Sequence, residues 1–337
     1  MVLQSNFNLG YACICTELRK RDIFSSRTIR LDTFKKNGLD YVKKLALENL
    51  HDLLTILKWN KDHDIYFMRL SSDMFPFASH PEYGYSIDFA KDILQEIGRY
   101  AIANKMRLTM HPGQYNVLSS PSDDIIKRTL LDLTLHANIL DMMGIDQDGV
   151  MVIHGGGVYG DKNKSLERLE KNINLLPEFI RKRLVLENCE MAYTVEDLLP
   201  ISEKLLIPIV IDTHHDSIHP SSKNVYYYFK RVFRIWKARG IKPKIHISNS
   251  VPGITELDSK TARRKHSDYI DYIHEEIYML NFDIDIMLEC KMKEQGIFRL
   301  RERNKEAAFK NDVSKDGSDD VSADVSVDVS DDVSDNV

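Results

Sequence analysis

The chain has 337 residues, of which 43% are hydrophobic and 29% charged, enough for a large buried core in one large domain or two smaller ones. Its first residues lack the basic stretch, apolar run and small-residue cleavage site of a secretory leader, and no apolar run reaches about 18 residues, so a soluble intracellular protein without a membrane partner is expected. The formal net charge of −5 averages over an uneven chain, and the four cysteines (Cys13, Cys15, Cys189, Cys290) fit reduced thiols better than a disulfide framework.

Short apolar runs that end in polar residues alternate with amphipathic stretches of helical period. NLGYAC (8–13) comes first, then a helical stretch over 38–63 and the run IYFMRLSS (65–72). A helix over 86–105 leads to RLTMHPG (107–113), and one over 124–144 to VMVIHGG (150–156). A helix over 165–182 precedes RLVLENC (183–189), and IPIVIDTHH (207–215), KPKIHISN (242–249) and DIMLECK (285–291) complete a set of eight runs. Eight strand-then-helix units predict a single parallel (β/α)8 TIM barrel, with an open Rossmann-type sheet as the runner-up. The barrel domain is expected over 1–305 and a disordered acidic tail over 306–337. From Asn311 to Val337 an Asp-Val-Ser repeat holds nine Asp and one Lys, a charge of −8, so the body carries −5 − (−8) = +3. Such a repeat buries too little apolar surface to fold. An interaction tail, a screen against non-specific nucleic-acid binding and a plain solvated repeat all fit it.

Active sites of this barrel form at the carboxyl ends of the strands, and here those ends carry His111, His154, Glu187, Asp212, His214, His215, His246 and Glu289. One such histidine is an ordinary core residue. Six of eight strand ends converging on one mouth with ionisable groups is costly unless divalent ions pair them. Imidazole mixed with carboxylate suits Zn2+, Mn2+ or Fe2+, and the surplus of ligands points to a cluster bridged by a carboxylate such as Glu187. Phosphodiester hydrolysis and sugar isomerisation both use such clusters. Of the adjacent pair, His215 is preferred over His214, because neighbouring strand residues face opposite ways. Lys244 lies two residues before His246 and shares its inward face, as a barrel-layer lysine paired to a carboxylate or as a modified or phosphate-contacting one. After His111 the chain turns on Pro112-Gly113 and offers Gln114 and Tyr115 outward.

The stretches LGYAC (9–13), MRLSSDMFPFASHP (68–81), TMHPGQYNVLSSP (109–121), VIHGGGVYGDK (152–162), LVLEN (184–188), IDTHHD (211–216), KIHISN (244–249) and DIMLECKMKEQGIFRL (285–300) resemble the ultraviolet damage endonuclease family. The resemblance runs from about Leu9 to about Leu300. It implies an endonuclease IV-like (β/α)8 barrel that nicks duplex DNA immediately 5′ to pyrimidine dimers, 6-4 photoproducts and some abasic sites. The products would be a 3′-hydroxyl and a 5′-phosphate, in DNA excision repair. By that resemblance the metal ligands are His111, His154, Glu187, Asp212, His215, His246, His266 and Glu289, with Glu187 bridging. By the same resemblance Glu187, Lys244 and Asp212 would be the catalytic residues. The cofactor would be a cluster of two or three divalent ions, Mn2+ first and Zn2+ as the alternative, with no organic cofactor. The partner is damaged double-stranded DNA, and a monomer is expected.

Gln114 and Tyr115, with Tyr11 beside them, would fill the duplex where the lesion is extruded. Rim cations for the DNA backbone are Arg69, Lys162, Lys164, Arg263, Arg264 and Lys265, with ARRK (262–265) equally readable as a solvated helix start. Three positions depart from the family pattern: Cys189-Glu190 in place of two acids, Asp216 in place of a histidine, and Ala12-Cys13-Ile14-Cys15 after Tyr11. An abasic-site nuclease of the endonuclease IV type, a metal-dependent sugar isomerase or epimerase and, last, a non-enzymatic DNA-binding barrel are the alternatives.

Overall fold

A computed structural model describes residues 7–280 and 282–303; the Asp-Val-Ser tail expected over 306–337 lies outside the described residues. Eight parallel strands close into a barrel in the order β1 to β8. They are β1 (Phe7–Ala12), β2 (Phe67–Leu70), β3 (Arg107–Met110), β4 (Met151–His154), β5 (Leu184–Glu187), β6 (Ile209–Asp212), β7 (Lys244–Ile247) and β8 (Ile284–Leu288). Closure comes from β1 against β8, with Gly10 opposite Met287, and it excludes the open sheet. The strands are short and apolar because helices cover their outer face while side chains fill the barrel on the inner one.

The covering helices are α1 (Leu31–Asp62), α2 (Lys91–Ala103), α3 (Asp123–Met142), α4 (Lys162–Leu175), α5 (Val195–Leu205), α6 (Thr213–Ile218) and α7 (Tyr226–Ala238). α1 is broken at Gly38, whose φ of 76° is left-handed, so the helix expected from residue 38 is its second part. The helix expected over 165–182 ends at Leu175 instead. Leu176 is extended before Pro177, because the proline ring excludes the helical conformation from the residue that precedes it. α5 opens on a capping box in which Thr194 and Asp197 satisfy each other's backbone N–H groups.

Inside the barrel the polar groups form two levels. At the amino-terminal end Arg107 donates to the buried Asp285 carboxylate at 2.8 Å, and Lys242 reaches the same group at 2.8 Å. Above them Lys244 is fully buried, with its Nζ 3.4 Å from Thr109 Oγ1 and over the Phe67 ring. The carboxyl ends of β3 to β8 then bring the ionisable side chains together.

Candidate metal centre

Glu187, the last residue of β5, is fully buried at the middle of the cluster. Its Oε2 lies 2.8 Å from His111 Nε2 and 3.5 Å from His154 Nε2. Its Oε1 lies 2.8 Å from His246 Nδ1 and 3.6 Å from His215 Nδ1. One carboxylate therefore faces four imidazoles. Asp212 ends β6; its Oδ1 accepts the His215 backbone N–H at 2.8 Å and so caps α6. His246 Nδ1 is also 3.3 Å from Glu289 Oε1.

Three interlocking groups follow: His111 with His154 and Glu187, Glu187 with Asp212 and His215, and Asp212 with His246 and Glu289. Within each group the potential ligand atoms lie within 4.8 Å of one another. A fourth group, His154 with Cys189 and Glu190, adjoins the first.

Burial and mutual attraction set the protonation of these groups. Burial opposes the ionised forms of Glu187 and Glu289, yet the groups around them overcome it. His246 and His154 hold Glu187 well below the usual carboxylate range, and Arg69 and His246 do the same for Glu289. Burial pushes His154 and His246 down to about 4, which leaves them neutral and ready to ligate. Asp212 moves the other way, up to about 7, through burial. His215 is held up to about 10 because Asp212 and Glu187 outweigh its burial. Lys244 is pushed down to about 7 by burial, then by Arg69 and Arg107.

The donor set fits divalent ions. Asp212 Oδ2 is buried without a hydrogen-bond partner, 3.9 Å from His246 Nδ1, a cost that folded proteins rarely leave unmet and that a cation between the groups would remove. His215 Nδ1 lies 2.9 Å from the Asn188 carbonyl, which orients the ring and leaves Nε2 to ligate. Asn188 also joins β5 to β6: its amide donates to the Asp212 carbonyl at 2.9 Å and its Oδ1 accepts the Asp212 N–H at 2.8 Å.

A cavity of about 380 Å³ opens over the cluster. Gly113 and Gln114 line one side, Thr261, Arg264, Lys265 and His266 the other, and Cys13, Arg69, His111, His154, Glu187, Glu190, His215 and Glu289 complete its lining. The turn after β3 stands at its edge, with Gln114 exposed and Tyr115 65% exposed. A Cβ on Gly113 would sit 2.5 Å from Tyr115 Cε1, so only glycine lets that ring fold back over the turn.

A family model described as UV-endonuclease UvdE matches residues 7–318. The chain belongs to the UvdE family. A protein of Acanthamoeba polyphaga mimivirus is 39% identical over 310 residues, 88% of this chain and 91% of its own. The UV-damage endonuclease of Schizosaccharomyces pombe is 39% identical over 306 residues, 88% of this chain, which spans half the length of that relative. Among solved structures, SacUVDE aligns with a TM-score of 0.76 at 33% identity, covering 90% of this chain and 99% of that one.

Within this UvdE-family site the structure corrects the expectations for Tyr11, for Arg69 and for the carboxylate pairing of Lys244, and places the rim cations as follows. Tyr11 is fully buried and donates to Asn60 Oδ1 of α1 at 2.7 Å; its strand position turns it toward the helix layer, away from any lesion. Arg69 is ion-paired to Glu289 in the cavity wall and not displayed on the rim. Lys162 pairs with Asp197 at 2.5 Å, Lys164 with Asp161 at 3.2 Å and Arg264 with Glu190 at 2.5 Å, while Arg263 donates to the Ser217 carbonyl. Lys265 lines the cavity without an ion-pair partner among the described residues. Lys244 has no carboxylate within ion-pair distance among the described residues, against the paired reading.

His215 does join the cluster while His214 turns away, but not through strand alternation. Both sit on α6, where successive residues are about 100° apart. His214 faces His266, at 5.3 Å between ring centroids. His266 lines the cavity with Nδ1 at 2.5 Å from Ser248 Oγ, and it belongs to none of the ligand groups found among the described residues.

Two side chains were not singled out from sequence as site groups. Glu190 stands 3.7 Å from His215 Nε2, and its position two residues beyond Asn188 was the available signal. Asn188 itself directly follows Glu187. Cys189 replaces an expected acid, and its Sγ accepts the Ala192 and Tyr193 N–H groups at 3.1 and 3.4 Å, so the backbone bonds of that turn are still made.

Proposed function

We propose that this protein nicks duplex DNA immediately 5′ to ultraviolet lesions, by metal-dependent hydrolysis of one phosphodiester. Pyrimidine dimers, 6-4 photoproducts and some abasic sites are the substrates, and the nick opens excision repair. The observation that carries the reading is Glu187, a buried carboxylate whose two oxygens serve two imidazole groups at the mouth of a barrel of the UvdE family. His111, His154, Asp212, His215, His246 and Glu289 are the ligands around it, with His266 reaching in from the loop after β7. Bound ions, Mn2+ by expectation with Zn2+ as the alternative, supply activation of a water and neutralisation of the charge that builds on the scissile phosphate.

The chain's own residues set the geometry of that step. Water adds to phosphorus, the bond from phosphorus to the 3′-oxygen breaks, and a proton goes to that oxygen, which leaves a 3′-hydroxyl and a 5′-phosphate. Glu187 fixes the spacing of the groups on either side of it. Asp212 keeps one oxygen uncommitted beside His246. Lys244 stands below the cluster as a buried amine that is largely neutral above pH 7, available for modification or for a proton in transit. Gln114 and Tyr115 stand where an opened duplex would need filling, and extruding a lesion costs less than extruding an intact base pair. Lys265 and, once released from Glu190, Arg264 face the backbone.

The test is cleavage of a 5′-labelled duplex holding one cyclobutane dimer, with Mn2+, beside undamaged and abasic duplexes. The expected result is a single cut directly 5′ to the dimer, abolished by Glu187→Gln. Cutting of the abasic duplex alone would instead identify an endonuclease IV type of nuclease. A metal-loaded protein that cuts none of the three would turn attention to sugar substrates.

A further inference from the structure

The turn that carries Gln114 and Tyr115 lies between β3 and α3 and contains neither helix nor strand. Its shape is imposed from below. Asn116, the residue after Tyr115, is buried, and its Nδ2 donates to Gly113 O at 3.0 Å and to Asp132 Oδ2 at 2.7 Å. Asp132 sits midway along α3 and is 3% exposed. Its other oxygen, Oδ1, accepts the Ser79 hydroxyl at 2.7 Å, and Ser79 belongs to the long loop that follows β2. One carboxylate thus ties the loop after β2 to the turn after β3. Three residues earlier on α3, Thr129 Oγ1 accepts the Val117 N–H at 3.3 Å, so a single helix face seats the whole turn.

The chemistry of this contact is demanding. Among the described residues no lysine or arginine lies within ion-pair distance of Asp132; the one such contact is His136 Nδ1 at 3.6 Å, on a ring whose Nδ1 also lies 2.7 Å from the Asp132 carbonyl. Burying a carboxylate without a cation is expensive, and the two short bonds from neutral donors are what satisfy it. An asparagine would not serve equally. It could offer its oxygen to Asn116 and an N–H to the Ser79 hydroxyl, which can accept, but both bonds would then join neutral groups and lose the strength that the carboxylate charge gives them. Tyr115 lies in the field of the same carboxylate, which adds to burial in raising its phenol pKa.

We propose that Asp132 is the positioning residue of the lesion-reading turn: by accepting from Ser79 and Asn116 together it presets where Gln114 and Tyr115 stand before DNA arrives. The inference rests on the reading of Gln114 and Tyr115 as the side chains that fill the opened duplex. Preorganisation of this kind acts on the step that opens the helix and not on the cluster, because Asp132 belongs to none of the ligand groups among the described residues.

The test uses the metal-loaded full-length protein and compares three DNAs: an undamaged duplex, a duplex with one dimer, and a dimer set in a pre-opened bubble. Asp132→Asn should lower discrimination between the dimer and undamaged duplexes several-fold (about 3- to 10-fold), the size expected when bonds to a charged acceptor become bonds between neutral groups. The change should appear mainly in KM, with metal content and nicking of the bubble close to wild type. Asp132→Ala, which leaves both donors without an acceptor, should lose discrimination at least as far, and urea unfolding of each variant separates any loss of stability from that effect. Wild-type discrimination in either Asp132 variant, or an equal loss on the bubble, would overturn the proposal. Gln114→Ala with Tyr115→Ala is the companion variant. If it loses discrimination while Asp132→Asn does not, the clamp alone fails; if it keeps discrimination, the reading beneath it fails.

Discussion

Asp212 and His215 would decide how the proposed centre meets divalent ions. Both have raised pKa values, to about 7 and about 10, so at neutral pH the metal-free site holds protons that a ligating carboxylate and imidazole must lose. The sign follows directly: metal binding at this site would release protons, and affinity should climb as pH rises through the window from about 7 to about 10. Adding Mn2+ to metal-free protein in weakly buffered solution at pH 7.5 should acidify it, and an unchanged pH would contradict this account. Tyr11 gives a second test at the same scale. Tyr11→Phe strands the buried Asn60 oxygen and should cost about 1–3 kcal/mol in urea unfolding, without altering selectivity for damage. A selectivity change at unaltered stability would return Tyr11 to the DNA surface.

Among the elements, the joints between helices and strands carry more information than their interiors. The helix expected over 165–182 gives way at Leu176 because Pro177 forbids it, and α6 begins within the run that reads as a sixth strand because the Asp212 side chain caps it. That cap is why His215 reaches the cluster and His214 does not. A different joint holds the outer layer: a Cβ on Gly98 would lie 1.6 Å from Met143 O, just past the end of α3, so α2 packs backbone to backbone there. Gly98→Ala should force the two helices apart at about 1–3 kcal/mol, read as a lower urea midpoint. Nicking by the fraction that stays folded should be unchanged; loss of activity ahead of stability would show that this contact reaches the site.

For the whole molecule, charge and closure matter most. The acidic repeat holds −8 of the formal charge while the body is +3, so cutting the chain after residue 305 should tighten binding to undamaged duplex and steepen its salt dependence. Filter binding across a salt series checks this, and identical curves for both forms would remove the tail from DNA discrimination. The sequence by itself determined the eight apolar runs, the barrel they imply and the polar residues at their ends, because strand period, strand length and residue type are local properties. It also carried the family through MRLSSDMFPFASHP and HPGQY. It could not say that Tyr11 faces α1, that Arg69 is spent on Glu289, or that Asn188 and Asp132 hold the neighbouring turns. Those facts depend on which side chains from distant segments meet once the barrel closes, and partner choice among buried polar groups is settled by packing and desolvation, not by spacing along the chain.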